Sequence, residues 1–97
     1  MKALFITYNQ AYNEEIVEFL EQNGQRGFTR WNEVQGRGTT TGIPRLDSHA
    51  WPESNHAVFS MVEDGKVQDI LAGLRRMDEA APDLGLRAFV WTIESFY

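Results

Sequence analysis

The chain has 97 residues and no cysteine, and its 14 acidic against 9 basic residues give a net charge of −5. This charge has the wrong sign for a protein held to nucleic acid by counterion release, so we expect no nucleic-acid partner. No apolar stretch reaches the roughly 18 residues of a membrane span, and the N-terminus is too short for a signal peptide. We therefore predict a cytoplasmic protein without direct membrane insertion, disulfides or thiolate metal sites.

The first third of the chain predicts a strand, a helix and a second strand. Lys2 to Tyr8 is rich in β-branched and aromatic residues, which favours a strand. The next segment has the apolar stripe of an amphipathic helix, at Tyr12, Ile16, Phe19 and Leu20. We expect Asn9 or Asn13 to cap this helix, and Gly24 to end it in the left-handed conformation. The second strand is predicted from about Gly27 to Gln35.

A long irregular loop is predicted next. The run from Gln35 to His56 holds three glycines, two prolines and both histidines, a composition that no regular element favours. Irregular loops of this length inside compact domains are usually functional or disordered. We therefore expect recognition to occur here, and we expect residues from about Gly38 to Asn55 to become ordered when a ligand binds.

The last third of the chain repeats the pattern of the first. Ala57 to Glu63 predicts a strand, Asp64 a helix cap, and Leu86 to Glu94 a final strand. Between them a helical stripe occupies Val67, Ile70, Leu71 and Leu74. Two β-α-β units in this order predict an α+β ferredoxin-like βαββαβ sandwich, with a four-stranded antiparallel sheet and two helices on one face.

The sequence also predicts self-association. The length fits one domain, residues 1–97, which is small enough to leave much apolar surface in water. The last strand is apolar on both faces, since Phe89 and Trp91 alternate with Val90. Two helices cover only one face of such a sheet, so the second face needs a cover from another chain.

The segment from Gly24 to Gly38, GQRGFTRWNEVQGRG, resembles the second-strand signature of the PII nitrogen-regulatory signalling proteins and their PII-like relatives. In those proteins a G-x-x-G-hydrophobic-T stretch leads through a strand into G-x-G and a long loop, the T-loop. The resemblance implies a homotrimer whose sheets face inward, with a T-loop-like segment at about residues 36–56. It also implies a small-molecule effector, commonly an adenine nucleotide, bound in clefts between subunits.

A partner protein is implied by the same resemblance. In PII-type proteins the T-loop changes conformation to engage a transporter, an enzyme or a regulator. We therefore expect a signalling protein that contacts a membrane transporter or a regulatory protein through its loop. Arg45 and Trp51 are the candidate contacts, because large side chains on loops often anchor interfaces. The alternative for Trp51 is packing back onto its own subunit or a neighbour.

The chain departs from the PII pattern near its last strand. The turn Ala81-Pro82-Asp83-Leu84-Gly85-Leu86-Arg87 is shorter than the family's glycine-rich T-G-x-x-G-D-G-K turn and lacks its paired glycines. Arg87 can replace the family's lysine, but further basic partners are missing. The loop also lacks the glutamine and tyrosine pattern of nitrogen signalling. The signal therefore need not be nitrogen status or ATP.

The candidate effector residues lie around the cleft that the resemblance implies. They are Thr29, Gly36, Arg37, Gly38, Thr39, Thr40 and Arg87. The run GRGTTTG offers backbone N–H groups and hydroxyls for an anion-binding nest, although it is not a Walker motif. The alternative is that its glycines only lead the strand into the loop and that Thr29 is an ordinary strand residue.

A divalent metal ion is the other candidate ligand. Asp47, His49 and His56 supply oxygen and imidazole ligands suited to zinc, copper or nickel, although such residues in a polar loop are more often solvated. A divalent-cation protein of the CutA type therefore stays an alternative function, as do a ligand-free structural trimer and a small ferredoxin-like enzyme. We expect no enzyme, because both histidines fall in the loop and catalysis needs held geometry.

Overall fold

A computed structural model of the chain describes residues 1–36 and 54–97. In these ranges the elements are β1 (Lys2–Asn9), α1 (Asn13–Gln22), β2 (Thr29–Val34), β3 (Asn55–Val62), α2 (Val67–Ala80) and β4 (Arg87–Thr92). The four strands form one antiparallel sheet in the order β2-β3-β1-β4. This confirms the predicted ferredoxin-like α+β fold.

The hydrophobic core lies between one face of the sheet and the two helices. Successive side chains of a strand point to opposite faces, so every second residue of β1 and β3 enters the core. The most deeply buried side chains are Leu4, Ile6 and Tyr8 of β1, Val58 and Val62 of β3, Ile16 and Leu20 of α1, and Ile70 and Leu74 of α2. The apolar stripes predicted for both helices are therefore confirmed.

A short 3-10 turn, Gln10–Tyr12, leads from β1 into α1. Asn9 caps this turn, because its side-chain oxygen accepts a hydrogen bond of 2.9 Å from the amide of Ala11. Asn13 is the first residue of α1, and its Oδ1 accepts a 2.5 Å bond from the Tyr8 hydroxyl. Burial raises the pKa of Tyr8 to about 12, against a smaller opposing effect of Arg30, so the hydroxyl stays a donor.

The end of α1 is as predicted. Gly24 follows the helix in the left-handed conformation, with φ 77°.

Several predicted boundaries differ from the structure. β2 and β4 are shorter than predicted, and neither Asn9 nor Asn13 caps α1 itself. Asp64 does not cap α2 with its side chain; it lies in a 3-10 turn, Asp64–Lys66, and its carboxylate accepts a 2.7 Å hydrogen bond from the N-terminal ammonium, which lowers the pKa of that carboxyl. β3 begins at Asn55 rather than Ala57, so His56 belongs to a strand and not to the loop. Asn55 and His56 are polar, which hid this part of the strand in the sequence. They belong to β3 because Asn55 pairs with Asn9 and His56 pairs with Tyr8 of β1.

The second face of the sheet is rich in aromatic side chains. We call it the aromatic face and define it by Phe5, Trp31, Phe59, Phe89 and Trp91. Phe5 pairs in register with Phe59 on one side and with Phe89 on the other. Trp31, Phe89 and Trp91 are each about half exposed, at 47%, 54% and 49%. In the described part of the chain both helices pack on the opposite face, so neither helix covers the aromatic face.

Candidate functional site

A cavity of about 410 Å³ opens where β2 ends and β3 begins, at the two ends of the segment 37–53. We call it the neck cavity. Its described lining consists of Thr7, Val34, Gln35, Gly36, Asn55, Arg87 and Phe89. Antiparallel pairing explains this convergence, because it brings the end of β1 to the start of β3 and of β4. Two of the predicted effector residues, Gly36 and Arg87, therefore share one cavity within a single chain.

Gly36 and Asn55 lie against each other in the lining of the neck cavity. A Cβ atom on Gly36 would lie 2.7 Å from Nδ2 of Asn55, so only glycine allows the backbone to approach this amide without displacing it. Asn55 is only 4% exposed. Its Oδ1 is buried and has no hydrogen-bond partner among the described residues. Such an unsatisfied acceptor costs about 1–3 kcal/mol, and a residue that carries this cost is a candidate for ligand contact.

The start of β3 is also held by hydrogen bonds. The backbone carbonyl of Ser54 accepts a 3.0 Å bond from the amide of Gln10, and the Ser54 hydroxyl donates a 3.1 Å bond to Oε1 of Gln10. Ser54 is fully buried. The backbone that leads into Asn55 is therefore tied to the turn after β1 by two hydrogen bonds.

Arg87 supplies the positive charge of the neck cavity. Its Nη1 donates a 2.6 Å bond to the carbonyl of Leu86, which directs the half-buried side chain. No carboxylate among the described residues forms an ion pair with it. A guanidinium has five donors and stays charged in proteins. Arg87 is thus able to bind an anionic group with the donors that the Leu86 carbonyl does not use.

Thr29 lies far from Gly36 and Arg87. It lines a second cavity, of about 480 Å³, at the start of β2, together with Arg26, Met61 and Lys66. The buried Gln25 holds this wall, because its Nε2 donates bonds of 3.0 Å to the Ser60 hydroxyl and 2.8 Å to the Met61 carbonyl. Thr29 and Gly36 are seven residues apart, roughly 20 Å along a strand. Within one chain the three effector candidates in the described ranges therefore divide between two cavities.

His56 faces away from the neck cavity. It pairs with Tyr8 on the helix side of the sheet, and the two ring centroids are 6.1 Å apart. Its Nδ1 is buried, and no described residue forms a hydrogen bond with it. Burial lowers the pKa of His56, the nearby Arg30 lowers it further, and Glu33 opposes both effects. Residues 1–36 and 54–97 contain no group of three side chains placed to hold a metal ion.

The other predicted site residues lie outside the described ranges. They are Arg37, Gly38, Thr39, Thr40, Arg45, Asp47, His49 and Trp51. Asn55, in contrast, is a candidate site residue that the sequence analysis placed only as the end of the loop. A single asparagine after a polar run carries no periodic signal, so nothing in the sequence distinguished it from its neighbours.

No protein-family model and no curated protein sequence matches this chain. Solved structures do match. CPII from Thiomonas intermedia K12, bound to ADP, AMP and bicarbonate, is 21% identical with a TM-score of 0.75, over 93% of this chain and 82% of that chain. The apo form of CPII, a nitrogen regulatory PII-like protein, is 20% identical with a TM-score of 0.73, over 93% and 85%.

A third similar structure is a PII-like signaling protein from Thermus thermophilus. It is 22% identical with a TM-score of 0.63, over 93% of this chain and 83% of that chain. Identities near 20% carry information about the fold and not about the ligand. By its sheet order, its two helices and its similarity to these three structures, this chain has the fold of the PII-like proteins.

Proposed function

We propose that this chain is a PII-like regulatory protein that binds a small anionic effector, a nucleotide or another anion, at the neck cavity. The observation that carries the proposal is the pairing of a charged donor, Arg87, with an unsatisfied buried amide, Asn55, in one cavity. Gly36 precedes the 37–53 segment and Asn55 follows it by two residues, so an effector bound here lies close in sequence to both ends of that segment. The loop is then the part that engages a partner, which we propose to be a membrane transporter or a regulatory protein.

We further propose that the chain acts as a homotrimer with the aromatic face buried. The face presents three half-exposed aromatic side chains without a cover from the described helices, and burying apolar area at about 25 cal/mol per Å² favours association. In the PII arrangement the ligand lies between subunits. We propose that such a trimer places the Thr29 cavity of one subunit beside the neck cavity of the next. Thr29 would then lie near Gly36 and Arg87 of the neighbouring subunit.

Regulation fits the described lining of the neck cavity better than catalysis does. Arg87 is its one titratable side chain among the described residues, and a guanidinium does not act as a proton acceptor near neutral pH. A general base has to exchange a proton with the substrate at the working pH. The composition of the cavity therefore suits the binding of an anion.

In the described ranges no helix is long and apolar enough to cross a membrane.

A thermal-shift screen against ADP, AMP, bicarbonate and divalent metal ions tests the function. A ligand present at about 100 times its dissociation constant adds about 2.7 kcal/mol of stability. We expect at least one of the anions to raise the melting temperature of the parent, and Arg87→Ala to remove that response. Arg75→Ala, a matched change at an exposed arginine of α2, should leave it intact. An Arg87→Ala variant that binds the same anion as tightly as the parent would contradict the proposed site.

A further inference from the structure

We infer that β2 has two registers against β3 and that the choice between them opens or blocks the neck cavity. In the observed register Val34 lines the cavity. In the alternative register the carboxylate of Glu33 enters the cavity and excludes an anion. This inference rests on the proposed anion site and adds an autoinhibitory device to it. Its basis is the irregular pairing of β2 just before the cavity.

β2 carries a bulge at the entrance to the neck cavity. Trp31 pairs with Ala57, and the next pair along the two strands is Val34 with Asn55. Between these pairs two residues of β2 lie opposite a single residue of β3. A bulge of this kind changes the direction of the side chains that follow it, and bulges are frequent beside binding sites. Here the bulge determines which residue of β2 lies opposite Asn55.

The alternative register follows when the bulge is removed. Trp31 lies on the aromatic face, and in a regular strand Glu33, two residues later, lies on the same face. Glu33 then takes the place that Val34 has now, opposite Asn55. Because that place is in the lining of the neck cavity, the carboxylate shares the cavity with Arg87. A carboxylate there attracts the guanidinium and repels a second anion.

The observed register has two unfavourable features. Glu33 has φ 55°, and it is the one residue other than glycine with a positive φ in the described ranges. The Cβ atom of a glutamate disfavours this left-handed conformation. His56 lies opposite the bulge, and its buried Nδ1 has no hydrogen-bond partner among the described residues. In the alternative register Asn32 alone lies opposite His56, and its side-chain amide is able to donate to Nδ1.

The alternative register has unfavourable features of its own. Gln35 would take the place of Gly36, where a Cβ lies 2.7 Å from Nδ2 of Asn55. The amide of Asn55 then has to turn, which the broad terminal torsion of an asparagine permits. The exposed carboxylate of Glu33 also loses water, and the charge of Arg87 offsets part of that cost. Each register thus relieves what is unfavourable in the other, and an anion in the cavity selects the observed one.

Disulfide trapping tests the two registers in the full-length assembled protein, because the chain has no cysteine of its own. Val34→Cys with Asn55→Cys places two thiols opposite each other in the observed register. Glu33→Cys with Asn55→Cys does so only in the alternative register. Asn32→Cys with Asn55→Cys is the control, since these two residues lie on opposite faces in both registers. Under mild oxidation we expect the Val34 and Glu33 pairs to form disulfides and the control pair to stay reduced.

A Glu33 pair that stays reduced while the Val34 pair oxidises would overturn the inference. If Asn55→Cys prevents folding, relaxation-dispersion NMR of the parent decides the question instead, because it detects exchange with a minor state on the microsecond-to-millisecond timescale. We expect exchange at Glu33 and at the residues next to it in β2. Flat profiles along this part of the strand would refute a second register.

Two one-residue deletions test the blocking role. Deletion of Val34 puts Glu33 into the cavity with Gly36 still in its place, whereas deletion of Asn32 removes the bulge and keeps Val34 and Gly36 where they are. The ligands are ADP, AMP and bicarbonate, measured by calorimetric titration. We expect the Val34 deletion to weaken anion binding roughly tenfold, and Glu33→Gln in the same chain to restore it. The Asn32 deletion should bind like the parent.

Unchanged anion binding in the Val34 deletion would overturn the blocking role of Glu33. Weak binding that Glu33→Gln does not restore would overturn it too, because the loss would then not come from the carboxylate. If none of the three anions binds to the parent, the proposed function fails, while the disulfide pattern still decides whether β2 has a second register.

Discussion

The rings of Phe59 and Trp91 contact each other across a strand that lies between them. Their centroids are 6.1 Å apart although β3 and β4 do not pair with each other. β1 separates the two strands, and its residue Ala3 pairs in register with Trp91. Because Ala3 has only a methyl group, the rings meet above it, and Ala3 is buried although it points to the aromatic face. The aromatic face is therefore a continuous surface over three strands.

Assembly should depend on this surface. We expect Trp91→Glu to convert the assembled protein into monomers, because an unpaired charge buried at an interface costs several kcal/mol. Light scattering coupled to gel filtration measures the mass directly. Gln22→Glu adds the same charge on α1, away from the aromatic face, and should leave the mass unchanged. A Trp91→Glu protein with the parent's mass would place the interface elsewhere, and a parent that is monomeric at micromolar concentration would refute the trimer.

The contact between Gly36 and Asn55 predicts a stability effect. Gly36→Ala places a methyl group 2.7 Å from Nδ2 of Asn55 and should destabilise the protein by about 1–3 kcal/mol through overpacking. Combining it with Asn55→Ala should recover most of that loss, because residues in contact are not additive. Urea unfolding of the two single variants and the double variant gives the coupling. Gly27→Ala is the control, since a Cβ there meets nothing within 4 Å.

The two helices touch at a glycine. A Cβ on Gly73 of α2 would overlap the ring of Phe19 on α1, so this close approach requires glycine. We expect Gly73→Ala to lower the free energy of unfolding by about 1–3 kcal/mol, even though alanine has the higher helix propensity. Phe19→Leu in the same chain should relieve part of the strain. If Gly73→Ala proves more stable than the parent in thermal unfolding, the helices do not pack as closely as described.

His56 predicts a loss of stability in mild acid. Its pKa in the folded protein is below the ordinary value of 6.5, chiefly because burial disfavours the charged ring. The unfolded chain therefore binds a proton first as the pH falls. Stability contributed by neutral His56 is complete above the unfolded pKa, and it decreases as the pH falls from there toward the lower folded pKa. Tyr8, Arg30 and Glu33 are the groups that face this ring.

The measurement is the melting temperature as a function of pH, for the parent and for His56→Phe. The parent should show a larger decrease below neutral pH than the variant, since phenylalanine does not titrate. Parallel curves for the two proteins would show that His56 does not contribute. His49, the other histidine, stays unchanged in both proteins and serves as the internal control.

Much of the fold could be predicted from local patterns in the chain. The helical stripes that include Ile16 and Ile70 identified the core faces of α1 and α2, because a helix buries one side at a fixed period. The alternation of Val90 with Phe89 and Trp91 in β4 indicated a sheet with one covered and one uncovered face. These features depend on residues that are close in sequence, so the sequence alone determined them.

The site required the tertiary structure. Gly36, Asn55 and Arg87 meet because the sheet order β2-β3-β1-β4 and the antiparallel registers bring three strand ends together. Thr29, at the other end of β2, is separated from them for the same reason. His56 was predicted as a loop ligand, but an earlier start of β3 places it on the helix side, and a strand alternates its side chains, so Asn55 takes the cavity side. Long-range pairing decides these positions, because register depends on contacts between strands and not on the residues of one strand.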